Sequence, residues 1–228
     1  ASYKDIFRVP TFTDLYYLRM GNTNLKPEET SQYNVGVTWS SSCGDWLRHF
    51  SISADGYYNT VKDKIVALPT MYVWKMMNMG EVDIKGVDVN LSTQFRLPLR
   101  MSLLLASTYS FQYAVDVTDP EAKNYKDQIP YTPRHSGTVS VTVENPWVNV
   151  SYILTAVGDR YALPQNIDRN RIDSYIEQSI SINRDFRFRY FGLRLQGELL
   201  NLANVNYDVI QYYPMPGRSW RLSICLSY

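Results

Sequence analysis

The 228-residue sequence has only two cysteines and two histidines. Cys43 and Cys225 lie near opposite ends of the chain and form no Cys-x-x-Cys or mixed Cys/His cluster, so they are read as unpaired thiols. His49 and His135 are too few for a histidine-built metal centre, and no metal or cofactor is expected. Neither histidine stands beside a nucleophile and an acid in a known spacing, so no catalytic residue is expected and the chain is read as non-enzymatic. A phosphate-cradling glycine loop is absent. A net charge of +1 argues against a nucleic-acid partner. No apolar run approaches the ~20 residues of a membrane-spanning helix. That excludes a helical membrane protein but not a β-barrel, whose strands only alternate over ~10 residues. The chain opens at Ala1 with no charged and apolar leader pattern, so any targeting signal is expected outside this sequence.

Aromatic residues are plentiful: 19 Tyr, 8 Phe and 5 Trp, at a mean hydropathy of −0.30. A barrel with a lipid-facing outside and a wet inside needs such a mixture. A soluble β-sandwich with tyrosine-rich loops is the competing reading of composition.

Alternation separates the two. From Trp220, the residues Trp220, Leu222, Ile224, Leu226 and Tyr228 fall on one face, and Arg221, Ser223, Cys225 and Ser227 on the other. The same period recurs over 28–41, 48–60, 81–95, 99–112, 135–144, 147–157, 174–183 and 190–201, which predicts nine strands. Carboxylates such as Asp88 and Glu198 fall on the polar face, where they are read as lining a lumen. Gly86 and Gly197 are read as easing close strand packing. Four tight connections (Ser42–Leu47, Arg96–Pro98, Asn145–Pro146 and Arg184–Arg189) alternate with four long ones (Val61–Gly80, Tyr113–Arg134, Gly158–Asp173 and Ala203–Pro216). Short periplasmic turns and longer extracellular loops are the asymmetry of an outer-membrane barrel, and a sandwich has no reason to show it. The fold expected is all-β: residues 1–228 as the C-terminal part of an antiparallel transmembrane β-barrel. Its C-terminus is then periplasmic, in the outer membrane of a Gram-negative bacterium. Trp220 and Tyr228 are expected as membrane-interface anchors. Nine is odd and would leave two unpaired edges in lipid, so the barrel must be incomplete here. Ser2–Phe12 reads as the end of a preceding strand.

Four ordered stretches carry a resemblance. They are Arg8-x-Pro10-Thr11-Phe12-x-Asp14-Leu15-Tyr16 with Gly21-Asn22-Thr23-Asn24-Leu25-Lys26-Pro27-Glu28; Asn78-x-Gly80 leading to Lys85-Gly86-Val87-Asp88; Glu198-Leu199-Leu200-Asn201-Leu202-Ala203-Asn204-x-Asn206-Tyr207; and Pro216-Gly217-Arg218-Ser219-Trp220. Together they resemble the C-terminal strands of TonB-dependent outer-membrane receptors. The resemblance implies a 22-stranded barrel, of which about nine strands are here, with a plug domain and earlier strands not present. It implies uptake of a scarce small-molecule nutrient, such as a siderophore or cobalamin, energised by the TonB complex through the absent N-terminal region, with outer-membrane lipid around the barrel. Haem receptors carry a His in the stretch matching Thr13–Met20, which has none, so haem ligation from that loop is not expected. The alternative is a passive porin or adhesin-type barrel without energised transport; a soluble all-β binding module is a third reading. Ligand candidates are the aromatic and basic residues of the outer connections: Tyr16, Tyr17, Arg19, Tyr72, Trp74, Tyr161, Arg169, Arg171, Tyr212 and Tyr213.

Overall fold

A computed structural model describes residues 1–70 and 72–227. Its ten-stranded sheet runs in chain order, every neighbour antiparallel. The strands are β1 (Ser2–Arg8), β2 (Glu28–Cys43), β3 (Leu47–Pro69), β4 (Trp74–Leu97), β5 (Met101–Asp116), β6 (His135–Glu144), β7 (Asn149–Val157), β8 (Tyr175–Arg187), β9 (Gly192–Leu200) and β10 (Ser219–Ser227). The nine expected strands are all present; of the segment Ser2–Phe12, read as a further strand, only Ser2–Arg8 is strand (β1), and Phe12 opens a helix instead. The sheet does not close on itself: β1 and β10 are its two edges.

Register makes the two faces continuous from strand to strand. Val37, Ala54, Val89, Tyr109, Gly137, Ala156 and Ile176 lie side by side in one row. Nearer the short turns, Leu103, Val143, Val150, Ile182, Gly197 and Leu222 form another. Many of these apolar side chains are bare on this face, Val37 at 68% and Leu222 at 65%, which in water would be an aggregation surface and in lipid is a solvated one. Aromatic pairs stand near both margins. Tyr3–Tyr33 (4.8 Å) lies toward the long connections; Trp39–Phe50 (5.3 Å) and Phe188–Phe191 (4.6 Å) lie toward the short turns. Trp220 is 79% exposed on the same outer face, and Tyr228 lies outside the described residues.

The opposite face is polar and bonded across strands. Ser40 bonds Ser51 (3.1 Å), Thr142 and Ser151 share a bond (2.9 Å), Asn149 donates to Asn183 (3.2 Å) and Arg221 pairs with Glu198 (3.4 Å). Asp88 accepts from Ser110 here. Both Asp88 and Glu198 therefore line the inner face, as their strand parity requires.

Three connections differ clearly from expectation: the turn expected at Arg184–Arg189 sits at residues 188–191, because β8 and β9 stay paired out to Arg187↔Gly192, and two others change as follows. The segment expected as the loop Val61–Gly80 is mostly strand: β3 and β4 pair without interruption of register from Val61↔Val82 to Pro69↔Trp74. This hairpin loses the lipid-type alternation because its inner face is covered by protein. Val61, Met79, Val82, Ile84 and Ala114 bury themselves with Ile129 of the β5–β6 connection, which folds back so that Ile129 donates to the Ala114 carbonyl (3.0 Å). The last difference is a turn shifted along the chain. Arg96 and Leu97 are still paired, with Ser102 and Met101, and the bend falls on Leu99 and Arg100, both left-handed at φ 59° and 60°. Pro98 has no N–H to give the ladder, so pairing stops there rather than before it.

Gly197 also departs from its expected role. A Cβ at Gly86 would collide with the Phe111 carbonyl oxygen, so that glycine does permit close packing, but a Cβ at Gly197 would meet nothing within 4 Å.

Candidate functional site

The four sequence motifs meet in pairs. The β1–β2 connection begins with helix α1 (Phe12–Tyr16), started by a capping box in which Thr11 and Asp14 each bond the other's backbone N–H. Arg8 bridges Asp14 (3.3 Å) and Glu28 (3.2 Å), and Glu28 also accepts from the Ile65 N–H (3.2 Å). Burial alone would raise the Asp14 carboxyl, but the two Thr11 bonds and the Arg8 charge outweigh it and hold the group below its ordinary value. Asn78 then ties this connection to the β3–β4 hairpin, bonding Lys26 in both directions and the Asp63 carbonyl (2.7 Å). Gly80 is fixed by its neighbour, since a Cβ there would collide with the Thr118 methyl group.

At the other end, Asn201 is buried with φ 50°, donates to the carbonyls of Val205 (2.9 Å) and Pro216 (3.3 Å), and accepts from Val205 N–H (2.9 Å). Asn204 accepts from the Arg218 N–H (2.8 Å), and the Arg218 guanidinium donates to the Leu202 carbonyl (2.7 Å). The motif residues thus serve as clamps that lock the long connections onto the barrel rim.

Those clamps place an aromatic cavity of about 420 Å³ at the long-loop end, lined by Trp74, Tyr131, Pro133, Val157, Arg160, Tyr175, Val209 and Ile210. Trp74 packs against Tyr131 at 5.6 Å, and burial pushes the Tyr131 phenol up. Arg160 is 3% exposed, stands 5.4 Å from the Tyr175 ring centre and donates through one terminal nitrogen to the Asp208 and Val209 carbonyls. Its other terminal nitrogen is buried without a partner. A buried guanidinium with an unused donor costs free energy unless a guest or water completes it.

A second cavity of about 300 Å³ adjoins it, lined by Arg171, Ile172, Asp173, Ser174, Asn206, Tyr207, Asp208, Gln211 and Tyr212. Tyr207 and Tyr175 stack at 4.0 Å, one ring lining each cavity. Desolvation, then a hydrogen bond to the Glu177 carboxylate (3.0 Å) and its charge, push the Tyr207 phenol up to about 12.

Three of the ten sequence-selected residues line these cavities: Trp74 the first, Arg171 and Tyr212 the second. Trp74 does so as the first residue of β4, not from a loop. The Arg171 guanidinium is already held by Asp159 (3.4 Å) and Asp173 (3.3 Å). Tyr161 pairs with Arg171 in a two-residue ladder, and its carbonyl accepts from Tyr131 N–H (2.7 Å). Arg169 is exposed in the 3₁₀ turn Asp168–Asn170 and accepts from Gln211 through its carbonyl (3.2 Å). Tyr213 pairs in a short ladder with Ile210 and is exposed. Tyr16, Tyr17 and Arg19 stand exposed on the β1–β2 connection, and Tyr72 is 89% exposed at the β3–β4 tip; none of these four lines either cavity. Tyr131, Arg160 and Tyr175 also line the first cavity and were not singled out from the sequence. All are aromatic or basic and lie in or beside long connections, so their type gave the right signal; their inward aim depends on loop docking.

Comparison with known proteins agrees with this architecture. Residues 1–202 match the family described as TonB dependent receptor-like, beta-barrel. A vitamin B12 transporter, BtuB, of Photobacterium profundum is 27% identical over 224 residues, covering 94% of this chain and 32% of its own. BtuB of Vibrio vulnificus is 24% identical over 221 residues, again covering 94% and 32%. Among solved structures, the copper transporter OprC superposes with a TM-score of 0.69 at 16% identity, covering 96% of this chain and 35% of that one. The ferric-catecholate import receptor Fiu of E. coli K12 gives 0.66 at 16%, covering 97% and 32%. The chain thus spans about a third of the length of the relatives it matches. It belongs to the β-barrel family of TonB-dependent receptors, and its ten strands are an unclosed part of such a barrel.

Proposed function

We propose that this chain is the C-terminal wall of an outer-membrane receptor that takes up a scarce nutrient of the cobalamin or siderophore kind, driven by TonB through an N-terminal region beyond this chain. The observation that carries the reading is the aromatic cavity at the long-loop end, walled by Trp74, Tyr131 and Tyr175 with the Arg160 side chain in its lining. Flat rings offer broad apolar contact to a large ligand, and a desolvated guanidinium supplies orientation through charge-assisted bonds. The BtuB relatives, named as vitamin B12 transporters, support the ligand class. The long connections then face the exterior, the short turns face the periplasm, and Trp220 and Tyr228 serve as interface anchors. Tyr16, Tyr17, Arg19, Tyr72, Tyr161, Arg169 and Tyr213 act as an outer approach to the cavities rather than their lining. A passive pore is the less favoured reading, given the family.

The test is titration calorimetry of the full-length receptor with cyanocobalamin and with a ferric siderophore, beside TonB-dependent growth on each. Binding of one ligand, weakened about tenfold or more in Arg160→Met through loss of a charge-assisted bond, is expected. Growth independent of TonB, or affinity for the bound ligand unchanged in Arg160→Met, would overturn the proposal.

A further inference from the structure

A larger cavity, about 670 Å³, lies away from the loops. It is a groove on the apolar outer face of β7–β10, walled by Val148, Ile180, Ile182, Leu195, Leu199 and Leu222. Its floor is Gly197, which sits in register between Ile182 and Leu222 where every other position on that face of β9 carries a leucine: Leu193, Leu195 and Leu199. The missing side chain is what makes the depression, since a Cβ there would touch nothing within 4 Å.

The groove has a charged mouth. Arg184 pairs with Leu195, two residues from Gly197 toward the short turn, or about 7 Å along the strand. Its guanidinium stands 4.8 Å from the Phe186 ring centre and has no salt bridge among the described residues. Arg189, in the turn beyond, lies against Tyr190. Strand parity places no carboxylate beside them on this face: Asp185 points inward and is held there by Arg194 at 2.6 Å and 3.0 Å. A lone Arg on a lipid-facing strand near its end is tolerated by reaching to the headgroup layer. A cation at that level, with an apolar channel running from it into the membrane, fits a phosphate on a hydrocarbon tail.

We propose that this groove holds one anionic glycerophospholipid of the leaflet at the short-turn end, an acyl chain lying over Gly197 and the headgroup phosphate on Arg184. The attraction is the charge-assisted kind that basic residues make with phospholipid phosphates. The site uses only the outer wall, so it stands whether or not the loop cavity binds a nutrient.

Gly197→Leu tests it without disturbing the protein, because the added side chain enters open space and fills the groove as its neighbours do. Native mass spectrometry of the full-length receptor, released from detergent with phosphatidylglycerol or phosphatidylethanolamine, reads lipid retention directly. Wild type is expected to retain one phosphatidylglycerol in preference to phosphatidylethanolamine. Gly197→Leu should lose it, and Arg184→Gln should weaken retention about fivefold and erase the headgroup preference. Heat-modifiable migration of both variants should match wild type, which separates loss of the site from misfolding. Equal retention in wild type and both variants, or no preference between the two lipids in wild type, would overturn the proposal.

Discussion

Asn78 holds Lys26 by both of its backbone groups: its Oδ1 accepts from the Lys26 N–H at 2.9 Å, and its Nδ2 donates to the Lys26 carbonyl at 3.1 Å. The side-chain amide thus acts as a one-residue strand, pinning the β1–β2 connection to the β3–β4 hairpin.

Replacing it should free that connection. Asn78→Ala removes both bonds and the one to Asp63, so a loss of about 1–3 kcal/mol is expected, local to the connection. Limited proteolysis should show faster cleavage between Tyr16 and Lys26, with the barrel band intact. Unchanged cleavage would mean that the other ties, Asn22 Nδ2 to the Met76 carbonyl and Met76 N–H to the Met20 carbonyl, seat the loop together with buried Leu25.

Asn201 should be the more severe site at the other clamp. Alanine would lose three bonds and sit in a left-handed conformation, for a cost of about 2–4 kcal/mol. Asn201→Gly relieves the backbone cost and keeps the bond loss, so it should fall between alanine and wild type in the temperature at which heat-modifiable migration is lost. Equal effects of both substitutions would assign the whole role to hydrogen bonding.

Acid should act on the Arg8–Asp14–Glu28 bridge. Asp14 has a lowered folded value, so its contribution is present above its ordinary value of 3.8 and is lost as pH falls through the lowered one. Arg8 is 47% exposed, which screens the pair, so Asp14→Asn should cost about 1 kcal/mol or less at neutral pH. Cleavage rates of the connection in wild type and Asp14→Asn should converge only in strong acid; convergence near pH 6 would show that another group controls it.

Alkali should act at the partition between the two cavities. A phenol raised to about 12 favours the folded state fully below its ordinary value of 10, and loses that contribution as pH rises from there through about 12. Tyr207→Phe keeps the stack on Tyr175 and removes the titration. Phenolate absorbance should therefore differ between wild type and Tyr207→Phe mainly above pH 11; a difference already complete at pH 10 would contradict the Glu177 contact.

The strands were legible in the sequence because one face must satisfy lipid and the other water, and a period of two records that demand at each residue. Val87, Val89 and Leu91 against Asp88 and Asn90 needed no fold to be read. The signal fails where the solvent changes: past Val61 the inner face of the hairpin is covered by protein and obeys packing instead of water, and the last nine residues of a 23-residue strand read as a loop. Which loop residues line a cavity was hidden for a related reason. Residue type marks Arg160, Tyr131 and Tyr175 as capable of binding, but long connections are aimed by contacts distant in sequence, such as Arg160 with Asp208 and Tyr131 with Tyr161. Gly197 shows the same limit, since a bare strand position reads as close packing until the neighbouring strands show open space above it. Local periodicity determined the wall and its two faces; only tertiary contacts decided which loop residues share a cavity and where the wall has a hollow.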